Sequence, residues 1–150
     1  MAKRVAYRST AVPVSRTQEV IRKLFQRYSV LGCQFTDNFE TGEIVLRFVR
    51  RVNDIPRTVQ IKLSAEGNER QAYRQLYYWI KSQLEAVDFG LLKFESAFLA
   101  HFEWMLEDGT MVTIGELVAP RLAEQGHGRL LAAPKEPEEA DWTVVEGDGV

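Results

Sequence analysis

Between Asn68 and Gly90 the chain reads NERQAYRQLYYWIKSQLEAVDFG. Tyr73, Leu76, Tyr77, Ile80, Leu84 and Val87 step by three or four, with Gln71, Arg74, Gln75, Lys81, Ser82, Glu85 and Asp88 between them. That spacing predicts an amphipathic helix with one apolar face, which Ala72 and Trp79 widen. Asn68 with Gln71 three residues on fits an N-terminal cap, Glu69 suits the positive helix start, and Gly90 supplies a left-handed residue to end it. At about 1.5 Å per residue this helix is roughly 30 Å long, enough to cover a small sheet.

Upstream, residues 3–14 are rich in Val, Tyr and Thr, and Pro13 keeps them out of a central strand, so an edge strand or an arm is expected. Ser15 with Gln18 has the spacing of a capping box, and Val20, Ile21, Leu24, Phe25 and Tyr28 give the helix that follows an apolar face to about residue 28. Three alternating segments come next. Cys33 and Phe35, then Ile44, Leu46 and Phe48, then Val59, Ile61 and Leu63 share one side. Gln34, Thr36, Val45, Arg47, Val49, Arg51, Thr58, Gln60 and Lys62 take the other, which is the period of strands with one buried face. The turn-rich links DNFETG and VNDIP are short, so neighbouring strands are expected to be antiparallel.

Beyond Gly90, Phe94, Phe98 and Phe102 recur every four residues and predict a second, shorter helix over 91–102. Asp108-Gly109 between apolar flanks predicts a hairpin. Thr113 with Glu116 fits the cap of a last helix to about residue 125, in which Pro120 predicts a kink or an early stop. The expected fold is α+β: one domain over 1–126, with a three- or four-stranded antiparallel sheet and the helices 15–28 and 69–89 on its apolar face. The short helix, hairpin and last helix complete it. Residues 127–150 turn to Ala, Pro and Glu and read as a linker and an acidic tail.

Charge sharpens this picture. The net charge of -2 conceals a gradient: residues 1–62 hold 12 Lys and Arg against 5 Asp and Glu, and residues 133–150 hold 1 against 6. Arg16, Arg22, Lys23 and Arg27 lie along the first helix, and Arg47, Arg50, Arg51 and Arg57 bracket the middle hairpin, with Lys3, Arg4 and Arg8 in the arm. Clustered cations are what a phosphate backbone attracts. The outward sheet face carries no aromatic residue, so recognition by base stacking is disfavoured and contact by charge and shape is expected. An equally plain reading is a solvated face whose arginine stems cover Val45 and Val49.

Catalytic chemistry is not written in the chain. His101 and His127 are the only histidines, neither at ligand spacing from Cys33, the single cysteine, and no phosphate-cradling glycine loop or nucleophile elbow occurs. No enzyme, metal or cofactor is expected. One cysteine allows no internal disulfide, and neither a secretory leader nor an apolar run long enough for a membrane span is present, so a cytoplasmic protein without membrane contact is expected. Two features point to a protein partner instead: Tyr78 on the polar side of the long helix, and Trp142, Val144 and Val145 among the acids of the tail.

From residue 15 to residue 89 the order helix, three strands, helix resembles a double-stranded-RNA-binding domain, although GNERQAYRQ lacks that family's lysine-rich phosphate-binding motif. The segments AVPVSRTQEVIRKLFQRY, IKSQLEAVDFGLLKFESAFLAHF and EDGTMVTIGE resemble a loose group of small phage- and prophage-encoded proteins with no assigned activity. The resemblance implies an accessory protein of a phage or mobile element, in the host cytoplasm. The expectation is a non-enzymatic protein that contacts nucleic acid through the first helix and middle hairpin, the tail competing for the same surface. The alternative is an adaptor or inhibitor that docks on a protein through the tail or the Tyr78 face.

Overall fold

The computed structural model describes residues 6–124. The chain divides into two compact units, Met1–Glu116 and Leu117–Val150. Within the first run α1 (Val14–Arg27), β1 (Gly32–Asn38), β2 (Glu43–Val52), β3 (Ile55–Ser64), α2 (Glu69–Asp88), α3 (Phe94–Ala97), a 3₁₀ turn (Leu99–His101), β4 (Glu103–Met105) and β5 (Met111–Thr113). Helix α4 (Ile114–Glu124) opens in the first unit, and its continuation is all that is described of the second. The fold is α+β. Strands β1, β2 and β3 form an antiparallel sheet in sequence order, and β4 and β5 form a separate antiparallel pair.

The strands follow the alternation of the sequence. Ile44, Leu46, Phe48, Val59 and Ile61 are buried on one face, where α1 contributes Ile21, Leu24 and Phe25 and α2 contributes Ala72, Tyr73, Leu76, Ile80 and Leu84. An aromatic cluster fills the end of this core. Phe48 meets Phe25 at 4.6 Å between ring centroids and Phe98 at 5.5 Å, while Trp79 meets Phe98 edge-on at 5.7 Å. Of these Phe25, Phe48 and Phe98 are fully buried, and each such side chain contributes about 1.5–3 kcal/mol relative to an exposed one. Between β2 and β3 the link is two residues long, and Asn53 and Asp54 both take positive φ, as a type I′ turn requires.

The ends of α2 are built as its sequence suggests. Asn68 Oδ1 accepts the Gln71 backbone N–H at 3.1 Å. Gly90, at φ +75, closes the helix with Gly90 N–H bonded to Val87 O and Leu91 N–H to Ala86 O, the paired bonds of a Schellman stop. Thr113 Oγ1 likewise accepts Glu116 N–H at 3.2 Å at the start of α4.

Three expectations are corrected. Helix α1 begins at Val14 with Pro13 at its N-cap and no side-chain cap, because Pro13 already holds the backbone dihedral that enters a helix; Gln18 is thereby free to bond elsewhere. The expected helix over 91–102 is one turn of α-helix followed by a 3₁₀ turn. Phe94 and Phe98 do face the core, but Phe102 leaves the helical path to bridge Val59 of β3. Helix α4 extends to Glu124, close to the expected end, so Pro120 does not stop it early. Pro120 has no N–H to give the carbonyl of Glu116 four residues back, and Glu116 is exposed, so water can take that carbonyl.

Candidate functional site

The sheet separates the cations that the sequence groups. Arg47 and Arg51 alternate with Leu46, Phe48 and Arg50, so they point away from the helix layer, whereas α1, with Arg16, Arg22, Lys23 and Arg27 exposed on it, lies on the other side. Arg50 and Arg57 are register partners on the helix-bearing side. The Arg50 guanidinium lies 4.5 Å from the centroid of Phe94. The expected basic surface of helix and hairpin therefore does not include Arg47 and Arg51, which lie on the opposite side of the sheet from α1.

Several of these charges are also spent locally. Arg47 meets Glu103 with both arms of its fork, Nε to Oε1 at 2.6 Å and Nη2 to Oε2 at 2.9 Å. That bond holds the Arg47 guanidinium above its ordinary pKa, and the Glu103 side chain is only 6% exposed. Lys62 pairs with Glu116 at 3.1 Å on the same outward face. With Glu43 also alternating outward, that face carries as many acids as bases. On α1, Glu19 is shared by Lys23 at 3.1 Å and Arg16 at 3.3 Å, which hold its carboxyl below the usual range, Lys23 most strongly. Arg22 stacks on Phe35 at 5.1 Å and Arg27 on Tyr28 at 5.7 Å.

Titratable groups inside the fold serve packing. Tyr73 joins three elements: its hydroxyl donates to Asp37 Oδ1 of β1 and accepts from Gln18 Nε2 of α1, each at 3.1 Å. Burial, above all, pushes that phenol up to about 12. Burial also lowers the pKa of His101, whose ring sits edge-on against Trp79 at 5.2 Å, and raises that of Cys33. Among the described residues no three His, Cys, Asp or Glu side chains converge as metal ligands would.

Tyr78 is partly covered. Tyr7 stacks on it with centroids 4.8 Å apart and planes 6° from parallel. Trp142, Val144 and Val145, like His127, lie outside the described residues.

An apolar surface that the sequence reading did not single out lies beside the hairpin β4–β5. Trp104 is 53% exposed, Met105 63% and Leu99 54%. A cavity of about 180 Å³ opens at Trp104 and Leu99, lined also by Val52, Arg57, Glu95, Phe102, Glu103 and Ile114. A shallower hollow of about 380 Å³ adjoins it, sharing Arg57, Glu103 and Trp104 and adding Met105 and Met111. In FEWMLEDGTMV the apolar flanks of the turn read as strand residues; the short strands leave Trp104, Met105 and Met111 in solvent. Compared with known proteins, the chain matches no family model, no curated protein sequence and no solved structure.

Proposed function

We propose that this protein is a non-enzymatic accessory protein, of the kind phages and prophages encode, that acts by docking on another protein through the surface around Trp104. The observation that carries the reading is the pair Trp104 and Leu99, exposed in the lining of an apolar cavity that Arg57 also lines, with Met105 and Met111 exposed in the adjoining hollow. Trp and Arg are the side chains that most often carry binding energy at protein interfaces, and Met adapts its shape to a partner. Isolated exposed apolar residues are ordinary on any protein, whereas several around a concavity are characteristic of interaction sites. Trp104 is 53% exposed and outside the buried core, so Trp104→Ala is expected to leave the fold intact.

The test compares the full-length protein with Trp104→Ala and Met111→Lys as baits against a host lysate. We expect a partner that the wild type retains and both variants lose, with unchanged thermal midpoints. Loss of one hot-spot residue weakens binding by about 2 kcal/mol, roughly thirtyfold. Retention by both variants, or no partner for any bait, would overturn the reading.

A second reading keeps the expectation of nucleic-acid contact but narrows it to α1. It is favoured by Arg16, Arg22, Lys23 and Arg27 being exposed along one helix with Glu19 as the sole acid on it. Contact there would be with the phosphate backbone and independent of sequence.

A further inference from the structure

Helix α2 carries, on its polar side, a stripe of Asn68 at its cap, then Gln71, Gln75 and Tyr78, spaced three, four and three residues apart. All four touch one short segment. Gln71 Nε2 and Gln75 Nε2 both donate to Ala6 O, at 2.9 and 3.1 Å, and Asn68 Nδ2 donates to Arg8 O at 3.1 Å. The Tyr7 ring between those carbonyls lies flat on Tyr78. The stripe thus reads a pattern, an aromatic ring flanked by two outward backbone carbonyls, and it does so with side chains rather than by burying the segment in the core.

The segment is held under strain. Tyr7 adopts φ +63, a left-handed conformation that a bulky side chain avoids. Its residues 6–9 remain exposed, and among the described residues its one backbone–backbone hydrogen bond is the turn closure from Thr10 N–H to Tyr7 O at 3.2 Å. A contact made of solvent-exposed hydrogen bonds and one stacked ring, opposed by backbone strain, opens at low cost.

We infer that residues 6–8 are a displaceable strap that occupies, within the chain, a recognition track on α2 for a partner segment bearing an aromatic residue between free backbone carbonyls. The strap is the template for that partner. A partner that relieves the left-handed tyrosine, by presenting its ring from an extended backbone, displaces it. Two amide donors and one carboxamide cap fix the position of the backbone, and Tyr78 selects the ring. Because the strap fills the track, the apparent affinity for a partner is reduced in proportion to the time the track is open. This track is separate from the Trp104 surface and does not depend on it.

The probe is a synthetic heptapeptide AYRSTAV, a copy of residues 6–12, titrated into the ¹⁵N-labelled full-length chain. Tyr7→Ala, which loses the stacked ring and keeps the strain, is expected to bind the peptide several-fold more tightly than the wild type, with shift changes at Gln71, Gln75 and Tyr78. Adding Tyr78→Ala to Tyr7→Ala is expected to abolish those changes. Gln71→Ala with Gln75→Ala, which touches no buried group, is expected to weaken binding to the Tyr7→Ala chain as well. Equal binding by wild type and Tyr7→Ala would overturn the strap, and no binding by Tyr7→Ala would overturn the track.

Discussion

A carbon added at Gly115 would sit 2.8 Å from the backbone oxygen of Ala100 and 3.3 Å from its Cβ. No positive φ is involved; the glycine is there because the first turn of α4 lies against the 3₁₀ turn at van der Waals distance. Ile114 N–H bonds to Phe102 O at 3.0 Å, and this holds the two segments at that distance. Gly115→Ala is therefore expected to lower stability by about 1–3 kcal/mol despite the better helix propensity of alanine, since a backbone oxygen cannot rotate away. Denaturant unfolding checks it, and a stabilised variant would refute the contact. A sequence shows such a glycine only as a helix-disfavouring residue after a cap. The clash partner is fifteen positions away along the chain and was not legible.

At the scale of elements, legibility depended on period. The strands and α2 have unbroken alternation or three-four spacing, and they fold as read, with Asn68 and Gly90 at the ends of α2. The segment 91–102 has helical spacing in three phenylalanines only, and the sheet edge at Val59 takes the third. Tyr73 shows how the elements are then locked together. Its ring is fully buried, so its place on the apolar face was readable, but its hydroxyl bridges Gln18 and Asp37, and no pattern on one strand or helix announces a bond among three. Tyr73→Phe keeps the packing and removes one acceptor and one donor; we expect a loss of about 1–2 kcal/mol, measured by equilibrium unfolding. Asp37→Asn in the Tyr73→Phe background should then cost little more, because the two act as one network.

For the whole molecule, the cations that stand together along β2 in the sequence do not stand together in space. Alternation in β2 sends Arg47 and Arg51 to one face and Arg50 to the other, and a sheet one layer thick then stands between Arg47 and α1. A run of cations in a strand is thus split by the period of two, whereas Arg16, Lys23 and Arg27, seven and four residues apart, share one face of α1. This decides how nucleic-acid contact has to be tested. Arg47→Ala is a poor probe, because it strands the nearly buried Glu103 carboxylate, at a cost of about 1–3 kcal/mol, and would lower binding by loosening the β4–β5 hairpin. Changes at Arg22, Lys23 and Arg27 remove exposed charge without orphaning a buried acid. If α1 meets duplex DNA with its four cations, log K should fall with log salt at a slope of about -3 to -4. The triple change to Ala should bring that slope to about -1, whereas Arg51→Ala on the opposite face should leave it unaltered. A fluorescence-anisotropy titration at several salt concentrations measures both slopes. An equal drop for Arg51→Ala would mean that the outward face, despite its balancing glutamates, is the one that meets the phosphates.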